Sequence, residues 1–346
     1  MKIAVAMSGG VDSSVTAALL KREGHEVFGL TMQVTQSEDV VQAARDAAQA
    51  LVIPSDHVDL RDIFEEKIIN EFCRQYGLGK TPNPCVYCNR LIKFGALLAK
   101  ARELGADMMA TGHYARIEKH AADGRYLLKK GIDRTRDQSY FLYKLTQSQL
   151  AQAIFPLGNM TKDSVRKIAR EMDLPSVKRK ESREICFIPD NDYARFLRSR
   201  MTTEMPAGAI KAKNGNLLGT HHGVIDYTIG QRKGLGISSS GPLYVVEIDS
   251  QSNTVIVGEK ADVYSREFTV TDLNWIPFDK LTEPRTFKTR IRYLHAEAEA
   301  VISPIDDNKT GVKFTDPQMA VTPGQAAVFY EDDMVIGGGT IERVLH

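Results

Sequence analysis

The stretch Ile3-Ala4-Val5-Ala6-Met7-Ser8-Gly9-Gly10-Val11-Asp12-Ser13-Ser14 decides the fold. Its first five residues form a short apolar run of the kind that makes a buried strand. Gly9 and Gly10 let the backbone turn tightly, and residues 13–22 carry a helical pattern closed by Gly24. A strand that runs through a glycine turn into a helix can aim consecutive N–H groups at an anion. Ser8, Ser13 and Ser14 add hydroxyl donors. The loop has neither the Gly-Lys-Ser/Thr of a Walker loop nor Gly-x-Gly-x-x-Gly. A serine-capped turn would account for one serine and one glycine. It does not account for the whole block at the carboxyl end of a first parallel strand, where open α/β sheets bind ligands.

The pattern repeats outward from this block. Residues 27–32, 57–60 and 107–111 read as further strands. Helices are expected at 37–50 behind a Ser37 cap, at 62–76, and at 89–104 ahead of Gly105. Two more open at Thr146 and Thr161 and end near Leu174-Pro175. Strands separated by helices imply a parallel, doubly wound sheet. The character changes after about Met201. Residues 215–258 are glycine-rich with β-like runs at 243–248 and 254–257, and 263–346 has no helical period. Runs at 312–314, 326–330 and 334–336 suggest a small β-barrel. The expected architecture is therefore α/β: a doubly wound domain over 1–200, a small central domain over 201–262, and a C-terminal β-barrel over 263–346.

Composition limits the function classes. At roughly 150 residues per domain, a chain of 346 residues holds two or three. A hydrophobic fraction of 42% and a charged fraction of 26% exclude a disordered or fibrous chain. No apolar run approaches the ~20 residues of a membrane helix, and the N-terminal run is too short for a signal-peptide core. Four cysteines without a secretory signal point to a reducing compartment and a cytoplasmic protein. There, Cys-x-x-Cys means metal or redox chemistry more often than a staple.

The cysteines carry the next signal. Thr81-Pro82-Asn83-Pro84-Cys85-Val86-Tyr87-Cys88-Asn89 is a proline-stiffened loop ahead of a helix. It sets Cys88 near a helix N-terminus, where thiolate is favoured. Cys186 follows Lys178, Arg179, Lys180 and Arg183, also a setting that favours thiolate. Two such thiols suit disulfide exchange or persulfide carriage. Ordinary buried cysteines are the plainer alternative, and Cys73 within 62–76 is assigned to that class.

The block from Ser8 to Ser13 resembles the PP-loop of the ATP pyrophosphatase superfamily. With the cysteines, the resemblance narrows to the tRNA-specific 2-thiouridylases. It runs over nearly the whole chain. Its blocks include Thr81-Pro82-Asn83-Pro84, Cys88-Asn89, Thr111-Gly112-His113-Tyr114-Ala115 and Asp137-Gln138-Ser139-Tyr140-Phe141-Leu142. Ile185-Cys186-Phe187-Ile188, residues 227–236 and Thr322-Pro323-Gly324-Gln325-Ala326 complete it. The resemblance implies that ATP, with Mg²⁺ near Asp12, adenylates the 2-oxygen of a tRNA wobble uridine. Cys186 would carry a persulfide whose terminal sulfur enters at the activated carbon, with Cys88 as nucleophile. It implies ATP contacts at Ala6, Met7, Ser8, Gly9, Gly10, Val11, Asp12, Ser13, Met32 and Gly112. It implies tRNA contacts at Asn83, Pro84, Cys85, His113, Arg136, Asp137, Gln138, Arg292, Tyr293 and Gln325. A sulfur-donor protein, a cysteine desulfurase or sulfur-relay carrier, is implied as partner.

Two positions depart from the family pattern. Many members carry aspartate at Cys85, and Asp-Ser-Gln where this chain has Glu181-Ser182-Arg183. Cys85, Cys88 and Cys186 together would suffice for an iron–sulfur cluster with one open iron, an alternative route for sulfur.

The charge total of +1, from 45 Lys and Arg against 44 Asp and Glu, speaks against nucleic acid when taken whole. Residues 116–136 hold seven bases and three acids, and 178–200 hold seven and four. Lys288, Arg290 and Arg292 alternate, so a strand would present them on one face. Residues 38–71, with nine acids and three bases, balance them. This distribution suggests one cationic face for phosphates. His113 and Tyr114 are candidates for stacking on a splayed-out base. A ligase adenylating a small metabolite would leave Cys88, Cys186 and the β-rich C-terminus idle. A non-enzymatic binding module would leave Ser8 to Ser14 idle.

Overall fold

The computed structural model describes residues 1–35, 37–179, 185–201 and 206–345. The first domain is built on strands β1 (Lys2–Ala6), β2 (Glu26–Gln33), β3 (Ser55–Asp59) and β4 (Met108–Ala110). A hairpin follows, β5 (Ala115–Lys119) and β6 (Tyr126–Lys130), and then the short β7 (Ala153–Ile154). The sheet order is β3-β2-β1-β4-β7, and all four pairings are parallel. Strand order reverses between β1 and β4, so the crevice past their carboxyl ends is the topological switch point.

Alternate side chains of each strand go to opposite faces. Ile3, Val5 and Val27 pack with Val15, Ala44, Ala47 and Val165, beneath helices Val11–Arg22, Asp39–Ala50 and Lys162–Glu171. Ala4, Phe28 and Leu30 pack with Phe64, Phe72, Ile92, Phe94 and Leu97 on the other face. The sheet is covered on both sides, as the sequence predicts.

Two helix starts differ from expectation. The second helix begins at Asp39 rather than at Ser37, whose hydroxyl instead accepts the Asp39 N–H at 3.3 Å. The helix expected from residue 89 starts at Pro84 and runs as Pro84–Tyr87, a π-helical Cys88–Leu97, and Leu98–Glu103. Proline is favoured at the first helical position, where its missing N–H costs nothing, and Asn83 caps the start by accepting from Cys85 N. Thr146 and Thr161 are N-caps as predicted, Thr146 within a full capping box with Gln149.

The central domain is a four-stranded sheet of β8 (Gly208–Ala212), β9 (Leu217–His221), β10 (Tyr244–Asp249) and β11 (Thr254–Gly258). The last domain comprises β12 (Tyr264–Trp275), β13 (Arg285–Arg290), β14 (Ala298–Asp306), β15 (Lys309–Met319), β16 (Ala326–Glu331) and β17 (Met334–Leu345). Their order is β12-β15-β14-β13-β16-β17, and β17 pairs back onto β12 to close a six-stranded antiparallel barrel. Phe268, Val270, Phe287, Phe314, Phe329 and Ile341 lie in its core cluster. The hairpin β5–β6 pairs with the barrel strand β17 through Met334 and Lys129, although it belongs in sequence to the first domain.

Candidate active site

At the switch point, β1 hands over to helix Val11–Arg22 through Ser8, Gly9 and Gly10. Gly9 adopts φ +69°, and a Cβ there would stand 2.5 Å from that of Ala43. Only glycine meets both demands. Gly10 is the N-cap and offers no side chain to the first-turn amides, so no side chain caps the helix start. The hydroxyls of Ser8 and Ser13 lie 3.4 Å apart at this loop. Ser14, expected as a donor, is instead buried and gives its hydroxyl to Gly10 O at 2.9 Å. Gly112, just past β4, packs so closely that a Cβ would fall 2.9 Å from the Asp12 carbonyl carbon. Met32, near the end of β2, is partly buried against the first-domain core.

Asp12 points sideways into a polar cluster that the sequence did not reveal. The buried Lys162 donates to both carboxylate oxygens at 2.8 and 2.9 Å, and Tyr114 OH donates at 2.8 Å. Tyr114 is therefore committed to Asp12, which corrects its assignment as a base-stacking residue. The Asp12 charge is already matched by Lys162. Among the described residues no group of three His, Cys, Asp or Glu side chains is arranged to hold a metal ion. The protein groups thus do not form a magnesium site on their own.

The thiols meet on the other side of the sheet. Cys85 lies in the first turn of its helix and Cys88 one turn deeper, as the first residue of the π-helix. Hydrogen bonds in a π-helix run from i to i+5, so Lys93 comes onto the side of Cys88. On an α-helix it would be turned roughly 140° away. Burial pushes the Cys88 thiol up to about 12 and the Cys85 thiol up to about 11. Burial raises Cys186 as well, and in all three cases the Lys93 ammonium opposes the rise. Cys186 also raises both of the others through charge repulsion, so the three thiols and Lys93 share one recess. Cys85 and Cys186 keep exposed surface, so the recess is open while its walls crowd the sulfurs. The expectation of thiolates favoured by the helix dipole is corrected: the helix starts five residues earlier than expected, and desolvation dominates at Cys88. Among the described residues, Lys93 is the cation that lowers all three thiols. Of the basic run at 178–183, Lys180 and Arg183 lie outside the described residues, as do Glu181 and Ser182.

Cys186 is positioned by its neighbour. Phe187 makes ring contacts at 5.7 Å with Phe64, 5.4 Å with Phe72 and 5.4 Å with Phe196. Cys73, half-buried in the helix beneath, has its thiol raised by burial and plays the packing part expected of it.

The remaining expected contacts fall into two groups. His113 is buried between Phe94 and Phe155, with Nδ1 2.7 Å from Thr111 Oγ1. Burial and the nearby Lys93 hold its imidazole neutral, with its pKa well below the usual histidine range. Tyr293 packs against Phe141 with ring centroids 4.4 Å apart and is half-buried. Gln325 Nε2 donates to Thr81 O at 2.9 Å, beside the cysteine loop. Gln138 accepts from Tyr114 N, and Arg136 lies partly exposed one turn away.

Other charges expected to face RNA are spent internally. Asp137 is 3% exposed and accepts from Gly131 N, Ser139 N and Ser139 Oγ. Arg290 pairs with Asp137 and Glu297, and Arg292 donates to Ile229 O and Thr322 Oγ1. Lys288 and Arg290 share the face of β13 opposite the buried Phe287 and Thr289, as expected. But β13 ends at Arg290, so Arg292 lies beyond the strand, and Arg290 is taken up by Asp137 and Glu297 while Lys288 stays exposed. In 116–136, Arg116, Arg125, Lys129 and Lys130 pair with Asp333, Asp279, Glu118 and Glu297. Arg195, Arg198 and Arg200 pair with Asp190, Asp226 and Glu65. No helix of the described residues is long and apolar enough to cross a membrane.

Comparison with known proteins agrees with this arrangement. Family models described as a tRNA methyl transferase HUP domain, PRC-barrel domain and aminomethyltransferase β-barrel domain match residues 1–190, 194–259 and 265–341. The tRNA-specific 2-thiouridylase MnmA 2 of Thermoanaerobacter sp. (strain X514) is 50% identical across 99% of this chain and 98% of its own length. The tRNA-specific 2-thiouridylase MnmA 1 of Caldanaerobacter subterraneus subsp. tengcongensis is likewise 50% identical, covering 99% and 98%. The MnmA of Acetivibrio thermocellus is 48% identical over 99% of both chains. With near-complete coverage on both sides, the chain belongs to the tRNA-specific 2-thiouridylase family.

Proposed function

We propose that this chain is an ATP-dependent tRNA sulfurtransferase that makes 2-thiouridine at the wobble position. The observation that carries the reading is the pairing, in one domain, of an uncapped Ser-Gly-Gly turn at the switch point with a three-thiol recess. The first-turn amides, Ser8 and Ser13 would bind the phosphates of ATP, and Lys162 adds a buried cation. The uridine 2-oxygen attacks the α-phosphorus, pyrophosphate leaves, and a poor leaving group becomes a good one. The terminal sulfur of a Cys186 persulfide then bonds to C2. Cys88 attacks the Cys186 sulfur, the S–S bond to the incoming sulfur breaks, a Cys88–Cys186 disulfide closes, and AMP departs. Asn83, Pro84 and Cys85, with the half-buried Tyr293, are proposed to border the uridine. Once a thiol reductant has opened the Cys88–Cys186 disulfide, a sulfur-donor protein bearing a persulfide would recharge Cys186.

ATP-dependent incorporation of sulfur into tRNA, read as thiouridine by mass spectrometry, tests this in wild type, Cys88→Ser and Cys186→Ser. Loss in both variants is expected, with AMP and pyrophosphate as co-products. Full activity in both, or release of ADP, would overturn the proposal.

A second reading keeps the same product but delivers sulfide on an iron–sulfur cluster, favoured by Cys85 sharing the recess with Cys88 and Cys186. No step is assigned to a cluster, because the thiols are not arranged as metal ligands. About four iron atoms per chain after anaerobic purification, lost in Cys85→Ser, would favour it. Metal-free protein active with a persulfide donor would exclude it.

A further inference from the structure

We propose that Asp272, on the barrel, is a positioning residue for the thiols of Cys85 and Cys88, acting through Tyr87. Tyr87 ends the one-turn helix that carries Cys85 and immediately precedes Cys88. Its hydroxyl donates to Asp272 Oδ2 at 2.6 Å and lies 3.2 Å from Thr340 Oγ1 on β17. The same carboxylate forms an ion pair with Lys144, which is fully buried and also donates to Asp272 O at 3.0 Å. The Lys144 ammonium stands 4.8 Å from the Tyr87 ring centroid. A buried ammonium requires an anion, and Asp272 meets that need from another domain.

The barrel distorts itself to make this contact. Asp272 has φ +54°, uncommon for a residue other than glycine, where the β12–β17 register breaks between Thr271 and Asn274. Such bulges re-aim a side chain, and a strained backbone is kept only where its surroundings hold it. A second tie secures the other end of the cysteine loop. Thr81 N donates to Pro323 O at 2.9 Å, and Gln325 donates to Thr81 O. Both ends of the segment bearing Cys85 are therefore fastened to the barrel. The inference rests on the thiolation reading and adds that the C-terminal domain sets the thiol geometry.

The test uses Tyr87→Phe in the full chain, which removes one hydroxyl and leaves the Lys144–Asp272 pair intact. Misplacing reacting groups by about 1 Å costs up to ~100-fold, so kcat for thiolation should fall between about tenfold and a hundredfold. KM for ATP should stay within about twofold of wild type, since the phosphate loop is untouched. Iodoacetamide alkylation followed by peptide mass spectrometry should show altered rates at Cys85 and Cys88 and an unchanged rate at Cys73. Asp272→Asn, which weakens the hold on Tyr87 from the barrel side, should shift the same two cysteines. Wild-type kcat together with wild-type alkylation in Tyr87→Phe would overturn the latch. If the wild-type chain fails to thiolate tRNA, the functional reading falls, and the alkylation rates still decide whether Asp272 positions the thiols.

Discussion

At the residue scale, the thiol recess sets desolvation against one cation. Each thiol is raised by burial, and among the described residues Lys93 is the group that pulls all three back. An ammonium beside a sulfur stabilises thiolate, so removing it raises the thiol pKa and lowers the thiolate fraction at fixed pH. Lys93→Met should therefore move the alkylation midpoints of Cys85, Cys88 and Cys186 upward. A shift of one unit would slow their alkylation near pH 8 by about tenfold, with kcat for sulfur transfer falling alongside. Unchanged midpoints would show that Lys93 does not govern these thiols. The cysteines were legible in the sequence as a reactive set, but the source of their activation was not. Residues five apart lie on different faces under α-helical periodicity, and nothing in Cys88-Asn89-Arg90-Leu91-Ile92-Lys93 announces a π-helix. Lys162 was hidden for a related reason: it meets Asp12 only because two helices 150 residues apart pack together.

At the element scale, local signals predicted local structure well. Apolar runs gave four of the five parallel strands, the two-residue β7 falling in a stretch read as helical, and threonine caps gave two helix starts. The hairpin β5–β6 escaped because its strands mix basic and apolar residues and its sheet partner, Met334, lies some 200 positions away. Several bases in and beside the same hairpin are matched by acids far along the chain, and such long-range ion pairs are invisible to a local count. The glycine turn, in contrast, was read correctly, and it allows a graded test. Gly9→Ala meets a left-handed φ and the backbone of Ala43 at 2.6 Å, whereas Gly24→Ala meets φ +84° with nothing within 4 Å. Backbone strain costs roughly 1–2 kcal/mol and overpacking about 1–3 kcal/mol more. Urea unfolding should then place Gly24→Ala about 1–2 kcal/mol below wild type and Gly9→Ala about 2–5 kcal/mol below. Nucleotide binding should be lost only in Gly9→Ala. Equal stabilities for the two variants would contradict the packing of Ala43 against the loop.

At the scale of the whole molecule, near-neutral charge is built from pairs that cross domain lines. Arg116–Asp333, Lys130–Glu297 and Arg290–Asp137 bind the first domain to the barrel. Of these, Arg116–Asp333 is partly exposed and adds little to stability, while Lys130–Glu297 and Arg290–Asp137 are largely buried. Carboxylates titrate mostly below pH 5.5, so the response between pH 7 and 5.5 should be set by groups whose burial forbids charge. His113 is the clearest. Its folded-state pKa is depressed, first by burial and then by Lys93, from an ordinary value near 6.5. The unfolded chain accepts a proton there as pH falls, while the folded chain does not, so stability present at pH 7 is lost on the acid side. For a site that stays neutral throughout, the loss between pH 7 and pH 5.5 is at most about 1.3 kcal/mol. The thiol of Cys88 acts at the other end. Its folded pKa is raised to about 12, so its contribution is intact below about 8.5 and disappears as pH rises toward 12. Unfolding free energies at pH 7 and 5.5 for wild type and His113→Asn test the acid limb. The variant should start less stable, having lost its Thr111 contact, yet fall less steeply with acid. Carboxylates titrate mostly below this window, so parallel slopes for the two proteins would mean that His113 is free to protonate in the folded chain.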